Sequence, residues 1–452
     1  MKKLFYQNRK LLIVAIFPLI FTVVASLVKM PYDVVSPAYI NEVDNVIEID
    51  NDYVEKGTFN TVSVYSYERV SLLQYLIALF DRKTTISRTY KVYNLSNVEG
   101  YRAGTIQKNV SINNALIASY SLANYFGFDA SINYHYEGYI VDTYYTYLTP
   151  NSLKIGDIIT KVGDYELAGD KSIGSVFSQA EAESDSGVLV EVKRNKDLLK
   201  FTITRNKYID YYGNEKTGFG FSGYDYYVID NATPTYKINK SQTIGPSGGL
   251  LQALMVFNAL TTNFDITNGM KIVGTGTIDN YGSVGEIGGI YQKIITADVN
   301  NANLFFVPVY RQNGYTEKYV KISKENTWMI GSYDTNIAVS RETIPYLNSD
   351  NVWCIKGNST NIRYYGQIIT IYDESNLNNE SNYLEAYRSY KNLKNSKMLF
   401  VPVSTLEEAV IYLSKNTEFE NIIQKKRNAY ELIKRNNNLT YDEWISSLEV
   451  AN

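Results

Sequence analysis

The sequence predicts a mixed α+β protein built from several units in a row, and three observations predict it. An 18-residue run without a charge, "LLIVAIFPLIFTVVASLV", stands near the front at 11–28. Alternating strand patterns broken by turn residues recur between about 32 and 205. A glycine-rich loop, "TIGPSGGL" at 243–250, then opens a helix-length apolar run, with strands, glycine turns and a second helix pattern behind it as far as Val309. The 452 residues, 45% hydrophobic and 20% charged, are enough for two or three globular cores. The net charge of −3 supplies no basic field, so no nucleic-acid partner is expected. A single cysteine, Cys354, rules out an internal disulfide and a cysteine-based metal site. A single histidine, His135, would have to be the base of any Ser-His or Cys-His enzyme; a surface or strand residue is the simpler reading. No cofactor and no metal is expected.

The front run rises about 27 Å at ~1.5 Å per residue, close to the ~30 Å of a bilayer core. It is longer than the ~7–15-residue apolar core of a signal peptide, although "VVA" at 23–25 could serve as a cleavage site. A buried soluble helix is the third alternative. Lys2, Lys3, Arg9 and Lys10 precede the run and only Lys29 follows it closely. The expectation is therefore a single-pass transmembrane anchor at 11–28 in the cell membrane, with residues 1–10 cytoplasmic and the rest extracytoplasmic. Residues 29–114 read as a small β-rich extracytoplasmic region, with strands such as "TVSVYSYERV" and one apolar helix near "SLLQYLIALF", and without assignable chemistry. "INNALIASYSLANYFG" at 112–127 has helical spacing and a glycine stop.

"LKIGDIITKVGD" follows, with a tight turn at Gly156-Asp157 into a strand at 158–162, then a helix near 173–183 and the hairpin "VLVEVKRNKDLLKFTITR". This run resembles a bacterial-type PDZ domain over 115–205; an ordinary small β-rich domain is the plainer alternative. The resemblance implies a sheet edge that takes a peptide strand and backbone N–H groups that hold its terminal carboxylate, with "FGF" at 126–128 as the candidate carboxylate loop. No G-x-x-x-x-G-K-[ST] string occurs, so no ATPase module is expected; "GDKS" at 169–172 lacks the spacing and the Gly-Lys pair.

The loop at 243–250 has three readings: a glycine-rich helix cap, a phosphate cradle, or the mount of a nucleophile. A serine at the start of a buried helix sits among unpaired N–H groups at the positive end of the helix dipole. A phosphate site would want a lysine after the glycines, and there is none. For a nucleophile, Ser247, the same N–H groups form an oxyanion hole, with the backbone of Gly245, Ser247 and Gly248 as candidate donors. In "GMKIVGTGTIDNYGSVGEIGGIYQKIITADVNNANLFFVPV" at 269–309, the second helix brings Lys293 close to its first turn, among apolar residues. Field and desolvation both disfavour its charge, leaving a neutral amine able to take the serine proton.

Taken together, "GPSGGL", "GTGTID", "IGGI..K" and "FFVP" are similar to the proteolytic domain of the Lon family, a Ser-Lys dyad peptidase. With the apolar front segment and the PDZ-like unit, the chain resembles the membrane-anchored PDZ–Lon-like peptidases. The resemblance implies Ser247 as nucleophile, Lys293 as general base and Thr275 as the residue that orients the lysine. It implies a Lon-type α/β proteolytic domain at 215–310, resuming at 397–414, and a homo-oligomeric ring as a possible assembly. "MLFVPVSTLEEAVIYL" at 398–413 resembles the closing strand and helix, with Ser404 and Glu407 in capping-box spacing.

Three features depart from the family pattern. Gly248 stands where an alanine is usual, and Ile244 where an acidic or glycine residue is common. An insertion at 311–396 separates the two parts of the proteolytic domain and holds Cys354 and strand-like stretches such as "GQIITIYDE". The tail at 415–452 reads as two amphipathic helices, the second opened by Thr440 and Glu443. The expected function is an ATP-independent, membrane-anchored serine endopeptidase that cleaves extracytoplasmic protein or peptide substrates. The alternative is a non-catalytic scaffold at the membrane that keeps the fold for binding.

Overall fold

The computed structural model describes residues 9–422 except 52–55, 90–94, 145–152, 170, 184–186, 210–214, 242, 262–263, 286, 309–317, 416 and 418. Within the insertion it also leaves out 323–327, 332–336, 339–345, 348–352, 356–359, 365–366, 374–392 and 394–395. The helices are α1 (Arg9–Leu27), α2 (Leu72–Phe80), α3 (Asn97–Tyr125), α4 (Ile173–Ala182), α5 (Gly249–Leu260), α6 (Ile290–Val299) and α7 (Leu406–Ser414). The strands of the two principal sheets are, in chain order, β1 (Tyr32–Glu42), β2 (Thr58–Tyr67), β3 (Thr85–Arg88), β4 (Ser131–Tyr144), β5 (Ile158–Val162) and β6 (Val188–Arg194). They continue with β7 (Asp197–Ile203), β8 (Phe221–Thr233), β9 (Lys271–Gly274), β10 (Leu304–Pro308) and β11 (Leu399–Val403).

The first sheet runs β11-β10-β9-β2-β1-β3. Strands β11, β10, β9 and β2 are parallel, while β1 is antiparallel to both of its neighbours. "LFFVP" in β10 is apolar without alternation because both faces of that strand are covered. On one face lie α3, α5 and α7 around Leu116, Leu254, Phe257 and Leu406. On the other lies α6, whose Ile290 and Ile294 meet Val62, Val273 and Phe305. Every residue of α5 is buried, as its all-round apolar sequence requires.

The second sheet, β8-β4-β5-β6-β7, has its own core around Val141, Ile159, Val190 and Phe177, the last from α4. Asp157 closes the turn before β5: its carboxylate accepts from the Lys154 N–H and pairs in two places with Arg194 at 2.7 Å. The long antiparallel pair β4–β8 begins at Ser131 opposite Thr233 and carries the chain out to this sheet and back.

Several expectations are corrected. The transmembrane anchor at 11–28 is not supported: among the described residues no helix is long and apolar enough to cross a membrane. Helix α1 does form over this segment, at Arg9–Leu27, but its first turn holds Arg9 and Lys10. Residues 29–114 supply β1, β2 and β3 to the same sheet that holds β9, so the strands expected as a separate region are half of the principal sheet. The helix expected at 112–127 starts fifteen residues earlier, where Ser96 and Glu99 form a capping box. The "FGF" terminus closes this helix rather than offering free donors: the N–H groups of Phe126, Gly127 and Phe128 donate to the carbonyls of Leu122, Asn124 and Ala123, and both phenylalanines pack against Phe257 and Phe419. Helix α7 is capped one residue later than its spacing suggested, with Thr405 accepting from the Glu408 N–H and Ser404 bonded to the Glu408 carboxylate.

In the insertion, strands such as Lys318–Ile322, Thr360–Tyr364 and Gln367–Asp373 belong to a seven-stranded sheet of their own. Cys354 lies on the strand Trp353–Ile355. Of the expected tail helices, only 419–422 lie within the described residues, helical and with Phe419 buried; the rest, with Thr440 and Glu443, lies outside them.

Candidate active site

The serine loop is held from two sides before any catalytic side chain is considered. From α3, the Ser111 hydroxyl donates to the Pro246 carbonyl at 2.9 Å, and the Gly245 N–H donates to the Gly104 carbonyl at 2.8 Å. From the chain that leaves β9, the Gly276 N–H donates to the Ser247 carbonyl at 2.9 Å and the Leu250 N–H donates to the Gly276 carbonyl at 3.1 Å. The Thr275 hydroxyl also donates to the Ser247 carbonyl, at 3.1 Å. Helix α5 then starts at Gly249, where a Cβ would come within 2.5 Å of the Ser111 hydroxyl and 2.7 Å of Ile278. Only glycine lets the start of α5 sit this close to α3.

Lys293 lies in the first turns of α6, whose N-cap is Gly289. Its ammonium nitrogen, Nζ, lies 2.9 Å from Ser247 Oγ and 3.1 Å from Thr275 Oγ1. Lys293 is only 3% exposed, and burial pushes its pKa from 10.5 down to about 7. No carboxylate is among the hydrogen-bond partners that would hold the proton on this lysine. The fall comes from desolvation.

The structure thus brings Ser247, Lys293 and Thr275 into one hydrogen-bonded cluster, just past the C-terminal end of β9. Of the three backbone donors expected for an oxyanion hole, Gly245 is engaged with Gly104. The N–H groups of Ser247 and Gly248 donate to no atom among the described residues. His135 sits on β4, half exposed, with its ring 3.0 Å from Asp230, and takes no part in the cluster. The two local departures also find their places. A Cβ on Gly248 would lie 2.9 Å from the Thr61 methyl on β2, so the strand fills the space that an alanine would need. Ile244 covers α3 at Gly104, where its side chain fills the room a larger residue there would take.

No family model, curated protein or solved structure matches this chain. What the site can do therefore rests on its own geometry. That geometry offers a buried amine near neutrality, a hydroxyl within one hydrogen bond of it, and two unengaged N–H groups beside the hydroxyl.

Sequence reading missed the residues that hold the loop. Gly104, Ser111 and Thr61 all lie in the region to which no chemistry was assigned. One signal was present: "SNVE" at 96–99 is a capping box, and it marks the start of the helix that carries Gly104 and Ser111.

Proposed function

We propose that the chain is a serine hydrolase that cleaves peptide bonds with a Ser247–Lys293 dyad. The observation that carries this reading is the 2.9 Å contact between Ser247 Oγ and a lysine whose pKa has fallen to about 7. A lysine in this state has a lone pair at neutral pH, and the nearest hydroxyl is that of the serine. The resemblance of the motifs to the Lon peptidases supports the same assignment.

In the proposed mechanism, Lys293 Nζ takes the proton from Ser247 Oγ as the oxygen attacks the scissile carbonyl carbon. The carbonyl oxygen, now negative, is held by the N–H groups of Ser247 and Gly248, an arrangement worth ~3–4 kcal/mol per well-placed donor. The carbon–nitrogen bond breaks, the leaving amine takes the proton from Lys293, and an ester to Ser247 remains. Water attacks this ester; Lys293 takes a proton from the water and returns one to Ser247 Oγ, releasing the acid. Thr275 holds Nζ in line and ties the Ser247 carbonyl down through its own hydroxyl.

The scaffold alternative expects the serine and the lysine apart, and a 2.9 Å contact gives it no support. The test compares the wild-type chain with Ser247→Ala and Lys293→Ala on an unfolded protein substrate, without nucleotide. Each variant is expected to lose at least about a thousandfold in rate. Equal cleavage by all three proteins would remove the dyad assignment.

A further inference from the structure

Strand β2 outlasts its neighbour on the side of the dyad. The last residue pair between β9 and β2 is Gly274 with Thr61. Beyond it, residues 62–67 of β2 pair with β1 on one side and with no described strand on the other. The start of this open edge is flanked by both catalytic helices. Thr61 touches Gly248 on the α5 face, and Val64 lies against Gly289, the N-cap of α6, on the opposite face.

Side chains alternate along a strand, so Ser63, Tyr65 and Tyr67 share the face of Thr61. That face is polar and then aromatic. Asn41 of β1 donates to the Ser63 hydroxyl at 3.4 Å. Tyr39 of β1 meets Tyr65 edge-on with ring centroids 6.1 Å apart, and Tyr65 stacks with Tyr67 at the same separation. All three rings are more than 40% exposed. Three tyrosines that pack on one another, with no covering element among the described residues, form a surface that begins about four residues, or ~13 Å, from the point where β2 passes Ser247.

We propose that this tyrosine strip is a specificity subsite, and that its occupant is an aromatic side chain of an extended peptide substrate, some four to six residues from the scissile bond. The inference rests on the peptidase reading above and adds to it which substrates are chosen. A peptide lying along the open edge of β2 advances at the same ~3.3 Å per residue as the strand. Side chains on its α5 face then meet the tyrosines as cross-strand neighbours, where aromatic pairs gain beyond their buried area.

The test uses the full chain and peptides of twelve residues that differ only in the position of a single phenylalanine in a serine-rich background. Two readouts keep the inference separate from the reading beneath it. The first is binding to the Ser247→Ala chain by fluorescence anisotropy, which needs no catalysis. The second is labelling of Ser247 by a fluorophosphonate, which needs no substrate.

Binding is expected to be roughly fivefold to tenfold tighter for phenylalanine at one position four to six residues from the centre, on one side only. Adding Tyr65→Ser with Tyr39→Ser should remove that preference, whereas Tyr65→Phe should keep it. In the Ser247-containing chain the labelling rate should not change with these substitutions. A flat positional profile, or a preference that survives Tyr65→Ser with Tyr39→Ser, overturns the subsite. A chain that fails to label but keeps the tyrosine-dependent preference overturns the dyad mechanism and leaves the strip as a peptide-binding surface.

Discussion

At the scale of single residues, Lys293 sets two pH dependences. In the proposed mechanism its amine is the base only when neutral, and burial has brought its pKa to about 7. The rate constant kcat/KM is therefore expected to rise about tenfold per pH unit up to about pH 7 and then level off, measured with a neutral peptide across pH 5–9. Stability follows the opposite logic. Below pH 7 the lysine is charged in both folded and unfolded chains, and the folded state bears the whole cost of burying that charge. Between pH 7 and 10.5 the unfolded lysine keeps a proton that the folded one has lost, so stability rises with pH and the cost disappears by about pH 10.5. Lys293→Met should thus unfold at a higher temperature than wild type at pH 6, by at most about 5 kcal/mol in free energy, with the gap closing toward pH 10. A midpoint difference that does not depend on pH would show that the lysine is not held neutral by the fold.

At the scale of elements, the site depends on how β2 and α3 close around the start of α5. Gly248→Ala would push a methyl group to within 2.9 Å of the Thr61 methyl, and Thr61 is β-branched and cannot swing away freely. The variant is expected to lose about 1–3 kcal/mol of stability, along with activity. Adding Thr61→Ser removes the obstructing methyl and should restore most of both, a coupling read from a double-mutant cycle. This dependence explains how much of the site the sequence could reveal. Ser247 and Lys293 were legible locally because glycines and apolar helix runs surround them, and Thr275 entered only through the motif resemblance. Thr61, Gly104 and Ser111 were not, because they act through contacts that span 135 to 187 positions of chain, and no local pattern records a partner that distant. The capping shift at α7 has a similar origin: Ser404 and Thr405 both offer hydroxyls, and only the tertiary position of β11 decides which one caps. The apolar run at 11–28 was read from its length, its lack of charge and the basic residues before it, and the helix it forms takes in Arg9 and Lys10.

At the scale of the whole molecule, the domain order along the sequence differs from the order in space. A reading in series gave an N-terminal region, a β unit and a proteolytic domain; in the structure the first and last share one sheet, and the β unit, which lies between them in sequence, has a sheet of its own. Strand and hairpin patterns predicted its elements well, since β5, β6, β7 and α4 form where turn residues and alternation placed them. The sharing of the principal sheet is a matter of parallel pairing between β2 and β9, about 210 residues apart, and alternation in one strand says nothing about its partner. One consequence concerns where the β unit is attached. Ser131 and Thr233 face each other across the β4–β8 pair, so the stretch between them departs and returns at points only about 5 Å apart. Replacing residues 132–232 with an Asn-Gly turn should leave fluorophosphonate labelling of Ser247 within about threefold of the intact chain, while cleavage of an unfolded protein falls by tenfold or more. Loss of labelling would show that the body carrying Ser247 needs the unit to fold. The β4–β8 ribbon is thus a hinge-like stalk: cutting it at Ser131 and Thr233 severs one antiparallel pair and no strand of the sheet beside Ser247 and Lys293.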